Sequence, residues 1–205
     1  MKKYINYLKY ILEHKKNVFI ECWKEGLYFH AFTHDLSKLL PCEFIPYAEW
    51  FYGHHGVKLE KNYNQEQLNN GMSNLSRNYL ECKNNFNKAW EHHYENNPHH
   101  WNYWIDNNGV VLDMPIKHIK QMICDWKGMS RKFGDTPQSF YKNNRYKINL
   151  STKTRCNVEY ILGFIDSECL VSNVTWDDYL KLNNIDENID FFNIMINQTN
   201  KIKIR

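Results

Sequence analysis

The sequence predicts an all-α fold, and three of its features carry that expectation. Apolar residues recur at three- and four-residue steps through most of the chain, the period of a helix with one buried face. Gly26, Pro41, Gly53 and Pro115 stand where those patterns stop or start, as helix punctuation requires. The hairpin signal at Asn107-Asn108-Gly109, before Val110-Val111-Leu112, has flanks too short for a sheet. At 205 residues, with 42% hydrophobic and 16% aromatic side chains, the chain has ample material for a core. The predicted organisation is one helical domain over residues 1–165, with a helical appendage over 166–205 packed on it.

Taken in order, Tyr4, Tyr7/Leu8, Ile11, Val18 and Cys22 predict one long amphipathic helix over 3–25, stopped by Gly26. His14, three after Ile11 and four before Val18, falls on its buried stripe. A second helix is expected over 27–37, carrying His34-Asp35 near its end. A third starts at Pro41 and runs through Glu43, Phe44, Tyr47 and Phe51 to Gly53. Residues 54–71, polar and Asn-rich, read as an exposed connection. A helix over 79–94 puts Phe86, Ala89, Trp90 and His93 on one face. The turn Asn96-Asn97-Pro98 leads straight into His99-His100-Trp101. Asp113 is placed to cap a helix from Pro115 through Ile119, Met122, Ile123 and Trp126 to Met129. Phe133 to Pro137 breaks that pattern, Ser151-Thr152 opens a helix over 153–164, and 177–196 gives one or two short helices. Trp101, Tyr103 and Trp104 are expected in the core, with an aromatic wall for a base or sugar as the second reading.

Charge and cysteine usage narrow the partners. The net charge of +3 is small and the basic residues are scattered, which leaves no electrostatic footprint for nucleic acid. Apolar runs are a few residues long, against the roughly 20 needed to span a bilayer, so no membrane association is expected. Met1-Lys2-Lys3 leads into Tyr4-Ile5-Asn6-Tyr7 and not into a secretory apolar region. Six cysteines lie far apart with no C-x-x-C pair, as for reduced thiols in a cytoplasmic protein. The oligomeric state has no sequence signal.

The ten histidines are distributed differently. They cluster as His30/His34, His54/His55, His92/His93 and His99/His100, with His14 and His118 alone. Metal ligands must converge from several elements; imidazole suits zinc, iron, nickel and copper, and carboxylates add manganese and magnesium. The candidate ligands are His14, His34, Asp35, His93, His99, His100 and Asp125. Neighbouring residues on a helix point about 100° apart, so His34 and Asp35 chelate one ion poorly unless the helix end frays or Asp35 bridges two ions. Two adjacent pairs with three isolated partners suit a binuclear site. His93 is favoured over His92 by the face it shares with Ala89 and Trp90. His99 and His100 can both ligate, or one can orient the other's ion through its second nitrogen. His30, one helical turn before His34, reads as packing, with a place beside the site as the second reading, and His54 and His55 are expected to be solvated. Glu43 either accepts a hydrogen bond from a ligating histidine or favours a helix start by its charge.

At these residues a resemblance becomes specific. His14, then His34-Asp35, then Asp125 follow the order H…HD…D of the HD-domain superfamily of metal-dependent phosphohydrolases. His34-Asp35-Leu36-Ser37-Lys38 resembles the HD-x-x-K element of its cyclic-dinucleotide phosphodiesterase branch, in which the lysine contacts substrate phosphate. His93, His99-His100 and Asp125 stand in the order of that branch's later ligands. Its Gly-rich G-Y-P signature is replaced here by Trp101-Asn102-Tyr103-Trp104, so cyclic-dinucleotide specificity is not implied. Over residues 4–165 the chain is also similar to a family from bacteria and their phages classed only as a domain of unknown function. That likeness runs through His34 to Lys38, Glu43-Phe44, Tyr47, Ala89 to His93, Asn97 to His100 and Asp125-Trp126.

The resemblance implies an HD-domain-like helical bundle with a metal site at its centre. The implied cofactor is a divalent transition metal, two ions of iron, manganese or zinc. Asp35, bridging them, and Lys38, against the phosphate, are the implied catalytic residues. The implied activity is hydrolysis of a small phosphorylated, nucleotide-like substrate, monoester or diester, by metal-activated water. Two alternatives use the same ligands: a non-catalytic metal-stabilised sensor or interaction protein, and a di-iron oxygenase on an HD-type scaffold.

Overall fold

The long amphipathic helix α1 (Lys2–Lys24) buries Tyr7, Ile11, His14, Val18 and Cys22, a stripe at three- and four-residue steps that lines the centre of the molecule. It ends at Gly26, whose φ of 72° is reached without the Cβ clash other residues meet there. The computed structural model describes residues 1–64, 67–68, 73–175, 177–178 and 181. It is all-helical; among the described residues the only β pairing is an isolated antiparallel bridge, Ile105 with Val111, closed over Gly109. No helix among them is long and apolar enough to cross a membrane.

Helices α2 (Tyr28–Thr33), α3 (Pro41–Tyr52) and α6 (Ile116–Phe133) pack on α1. The closest approach is to α6 at Gly128: a Cβ there would lie 2.5 Å from Val18 Cγ2 and 2.9 Å from the Val18 backbone nitrogen. The missing side chain lets the two backbones nearly touch. One turn earlier on each helix, His14 and Asp125 are thereby brought face to face.

A short turn α4 (Val57–Glu60) follows α3, and α5 (Asn74–Glu95) begins where Ser73 Oγ accepts from the Ser76 backbone N–H. α5 lies along α3, with Phe86 stacked on Trp50 at 5.1 Å and set edge-on to Tyr47 at 5.1 Å. Beyond α6, α7 (Pro137–Asn144), α8 (Thr152–Leu162) and α9 (Ser167–Val171) complete the described helices. They enclose a second apolar cluster of Met122, Trp126, Tyr141, Val158, Leu162 and Phe164 on the other side of α6. One helix thus serves two cores.

Five expectations change. The second helix stops at Thr33, four residues short of its predicted end, for reasons that belong to the site below. Residues 54–71 are not simply an exposed connection: Leu59 and Leu68 are buried with Trp50 and Tyr79, although 65–66 and 69–71 lie outside the described residues. Asp113 does not cap α6; it accepts from Ser151 Oγ at 2.6 Å, and Pro115 occupies the cap position. α6 also continues past Met129 to Phe133, and Gly134 stops it at φ 76°. The helix α7, with Thr136 as its N-cap, was not anticipated between two breaks. Of the appendage, α9 packs on α8, with Cys169 and Leu170 against the second cluster; the helices expected over 177–196 lie almost wholly outside the described residues.

Candidate metal centre

The chain after α2 is bent by local backbone, and that bend makes the site. His34 leaves the helix at φ −50°, ψ 126°, and Asp35 is left-handed at φ 54°, ψ 29°, before a 3-10 turn over Leu36–Leu39. A non-glycine residue held there costs about 1–2 kcal/mol, a cost borne by the contacts its side chain gains. Lys15 Nζ bonds the carbonyl oxygen of His34 and so holds the bend against α1. On a continuous helix the two side chains would diverge; here both point into the same buried space.

That space holds all seven candidate ligands. His14 comes from α1, His34 and Asp35 from the bend, and His93 from the last turn of α5. His99 and His100 come from the turn after α5, which the Trp104 indole ties down by donating to the Pro98 carbonyl at 2.8 Å. Asp125 comes from α6. Asp35 stands in the middle and its two oxygens face opposite ways. Oδ2 lies 3.4 Å from His14 Nε2 and 3.3 Å from His34 Nε2. Oδ1 lies 3.3 Å from His93 Nε2 and 3.4 Å from His99 Nε2. Asp125 Oδ1 adds to the first group, 3.2 Å from His14 Nε2 and 3.7 Å from His34 Nε2, and His100 Nε2 adds to the second, 2.9 Å from His93 Nε2. Donor atoms each about 2.0–2.2 Å from a common ion stand about 3.0–3.5 Å from one another. Most of these spacings fit that shell, and the four between Asp35 and its imidazoles, at 3.3–3.4 Å, are long for hydrogen bonds.

The chemistry of the donors fits an ion as well. Of the donor atoms that face the centre, Asp35 Oδ1, Asp125 Oδ1 and His99 Nε2 are buried and have no hydrogen-bond partner among the described residues. Buried polar atoms left so are costly. Burial alone would raise the Asp35 carboxyl, but His34, Lys38 and the bonds from His14 and His93 outweigh it and hold it far below the usual range. Asp125 is likewise held down against burial, chiefly by His14. Burial pulls His14 down, yet Asp125 and Asp35 outweigh it and lift its pKa to about 9. His34 and His100 are pushed well below the ordinary value, first by burial and then by neighbouring histidines, which keeps them neutral with a lone pair to give.

Behind His93 lies a support that fixes which nitrogen faces the centre. Its Nδ1 donates to Glu43 Oε2 at 2.9 Å, so Nε2 carries the lone pair toward Asp35 and His100. Glu43 is fully buried on α3 and also accepts from Ser37 Oγ at 3.0 Å and His92 Nδ1 at 2.8 Å. Both readings of Glu43 hold: it accepts from the histidine and stands in the first turn of α3. His92 is 46% exposed and reaches the centre only through Glu43. His54 and His55 are exposed, as expected. Lys38, half-covered by the Tyr47 ring, sits 2.6 Å from Asp35 Oδ2.

Three groups had little or no sequence signal. His30 packs its ring against His34 and His99 with centroids at 5.2 and 5.1 Å, and its buried Nε2 has no partner among the described residues. With His34 and His99 it forms a further set of converging ligand atoms. Its one-turn spacing from His34 was the available clue. The buried hydroxyls of Tyr7 and Tyr47, also without partners among the described residues, lie within electrostatic reach of Lys38. Tyr7 shares the stripe of His14, two turns earlier, but an aromatic on a buried stripe reads as core.

A cavity reaches this centre. About 350 Å³ in volume, it lies between the last turns of α5 and α6 and touches both Asp125 and His100, one donor from each group. Trp101 and Trp104 pack against the second apolar cluster, as expected, and Trp101 also lines this cavity; Tyr103 is exposed.

Comparison with known proteins agrees with the pattern read from the residues. A family of unknown function, DUF5662, matches residues 3–163, and the chain belongs to that family. No curated protein and no solved structure matches it.

Proposed function

We propose that this member of a family without an assigned function is a metal-dependent phosphohydrolase with a two-ion centre bridged by Asp35. The observation that carries the reading is the division of one buried carboxylate between two sets of imidazoles, each oxygen 3.3–3.4 Å from two ring nitrogens. His14, His34, Asp35 and Asp125 would hold one ion, and Asp35, His93, His99 and His100 the other. Nitrogen-rich donors with two carboxylates suit iron, manganese or zinc. Bound ions of this kind supply Lewis acidity, activating a water near neutral pH and neutralising charge on a phosphoryl group.

The chain's own residues do the rest. Glu43 fixes the His93 tautomer, and the bend at Asp35 keeps its two oxygens apart. Lys38 offers a positive charge to a phosphoryl oxygen, and the buried Tyr7 and Tyr47 hydroxyls beside it are unspent donors. The cavity at Asp125 and His100 favours catalysis over a closed structural site, because a donor from each set faces space a substrate can enter. The HD-type order of His14, His34-Asp35 and Asp125 supports the same class of chemistry.

The test is elemental analysis of protein purified without added metal or chelator, beside Asp35→Ala. About two equivalents of iron, manganese or zinc, lost in the variant, are expected, with manganese-dependent cleavage of nucleotide or phosphodiester substrates. A protein that binds no metal even after reconstitution would overturn the reading.

A further inference from the structure

We infer that the cavity beside the centre is a subsite for a flat, uncharged ring carried by the substrate, one ring system with hydrogen-bonding edges such as a nucleobase. This rests on the phosphohydrolase reading, since it places the ring beside the group that is cleaved.

The walls are the first argument. Trp90 from α5, Trp101 from the 3-10 turn over Trp101–Trp104, and Trp126, Phe133 and Phe140 from α6 and α7 surround the space, with Met122 and Met129 between them. Such walls hold a flat ring by stacking and by burying its faces. Charge is the second. No lysine or arginine lines the cavity, and Asp125 and Asp135 do, so a second phosphate or a carboxylate would be repelled there. Lys38, the cation of the site, lies against Asp35 instead. Phosphate and ring therefore have separate places. The third argument is the polar groups that remain: Asn102 offers donor and acceptor, Ser130 either, and Asp135 an acceptor for an amino or ring N–H. Size is the fourth. At about 350 Å³ the cavity is at the small end of ligand sites and has room for one ring system.

Phe133 is the natural handle. It is 64% exposed at the end of α6, so its loss does not disturb the core, yet its ring forms one wall of the cavity. Trp101 provides a second, half-buried wall.

The experiment titrates manganese-reconstituted protein with adenosine, AMP, glycerol 2-phosphate and inorganic phosphate. Tryptophan fluorescence and calorimetry are followed, and metal content is counted in the same samples. Adenosine, which carries no phosphate, is expected to quench tryptophan emission, and AMP to bind at least 10-fold tighter than glycerol 2-phosphate. Phe133→Ala and Trp101→Ala should each weaken adenosine binding about 10-fold, the size of one lost stacking partner, and leave inorganic phosphate unaffected. If adenosine neither binds nor quenches, or AMP binds no tighter than glycerol 2-phosphate, the ring subsite is wrong even in protein that holds its ions. Adenosine binding in protein without ions would support the subsite and overturn the metal reading instead.

Discussion

Replacing Glu43 by glutamine removes one negative charge and one acceptor from a fully buried position while keeping its shape. Glu43 accepts from His93 Nδ1 at 2.9 Å, His92 Nδ1 at 2.8 Å and Ser37 Oγ at 3.0 Å, using both oxygens. Burial would raise its carboxyl, but His93 outweighs that and holds it lowered, so the wild-type group is ionised. The amide has a single acceptor oxygen, and its NH₂ must then face an N–H. If the NH₂ faces His93, a buried donor is left unmet at about 1–3 kcal/mol; if it faces half-exposed His92, solvent can take that donor. The larger consequence is at the centre. With its Nδ1 no longer bound to a carboxylate, His93 can turn or change tautomer, and the nitrogen facing Asp35 loses its fixed lone pair. Loss of such a support lowers metal affinity about 10- to 100-fold. Chelator competition on metal-loaded protein measures the affinity, and urea unfolding of the metal-free protein measures the stability separately. His92→Ala is the control: half-exposed and one bond removed from the centre, it should leave affinity within a few-fold of wild type. A Glu43→Gln protein that unfolds earlier yet binds metal as tightly as wild type would refute the reasoning, since Glu43 would then only fill space.

Two further outcomes test the packing and its charges. Gly128→Ala puts a methyl group against the Val18 backbone, so overpacking of about 1–3 kcal/mol should exceed the roughly 1 kcal/mol gained in helix propensity. A lower Tm, together with weaker metal binding as His14 and Asp125 are pushed apart, is the expected result; an unchanged Tm would show that the helices separate freely. Glu21 is the pH case: burial raises its carboxyl, but the hydrogen bonds from Arg131 and Lys24 outweigh it and leave the pKa lowered. A depressed folded-state pKa gives stability that is present above the unfolded value near 4.5 and is lost as pH falls through the folded one. Urea melts at pH 7 and pH 3 should therefore show a smaller acid loss for Glu21→Gln than for wild type, and equal losses would remove Glu21 from the account.

How much was legible in advance follows from what kind of contact each feature needs. Helices α1 and α3 read well because their signals are local: a buried stripe at helical spacing, a proline in the first turn, a glycine at the end. His14 and His93 were placed correctly by the same periodicity, which fixes the inward face whatever packs there. The second helix misled because its end is set from outside, by Lys15 on α1 and by the contacts that repay a left-handed Asp35. Asp113 misled in the same way, since Ser151, thirty-eight residues away in sequence, takes its carboxylate.

By itself, then, the sequence determined an all-helical chain and a set of histidines and aspartates whose order suggests a metal centre. Side-chain type and spacing decide those things, and both are properties of neighbouring residues. Only the tertiary structure decided that Asp35 divides its oxygens between two sets of imidazoles, that Glu43 stands behind His93, and that His30 packs against His34 and His99. These are matters of angle and distance between elements far apart in the chain. They are fixed by the close approach of α1 and α6 at Gly128 and by a single left-handed residue, and neither leaves a periodic trace in the sequence.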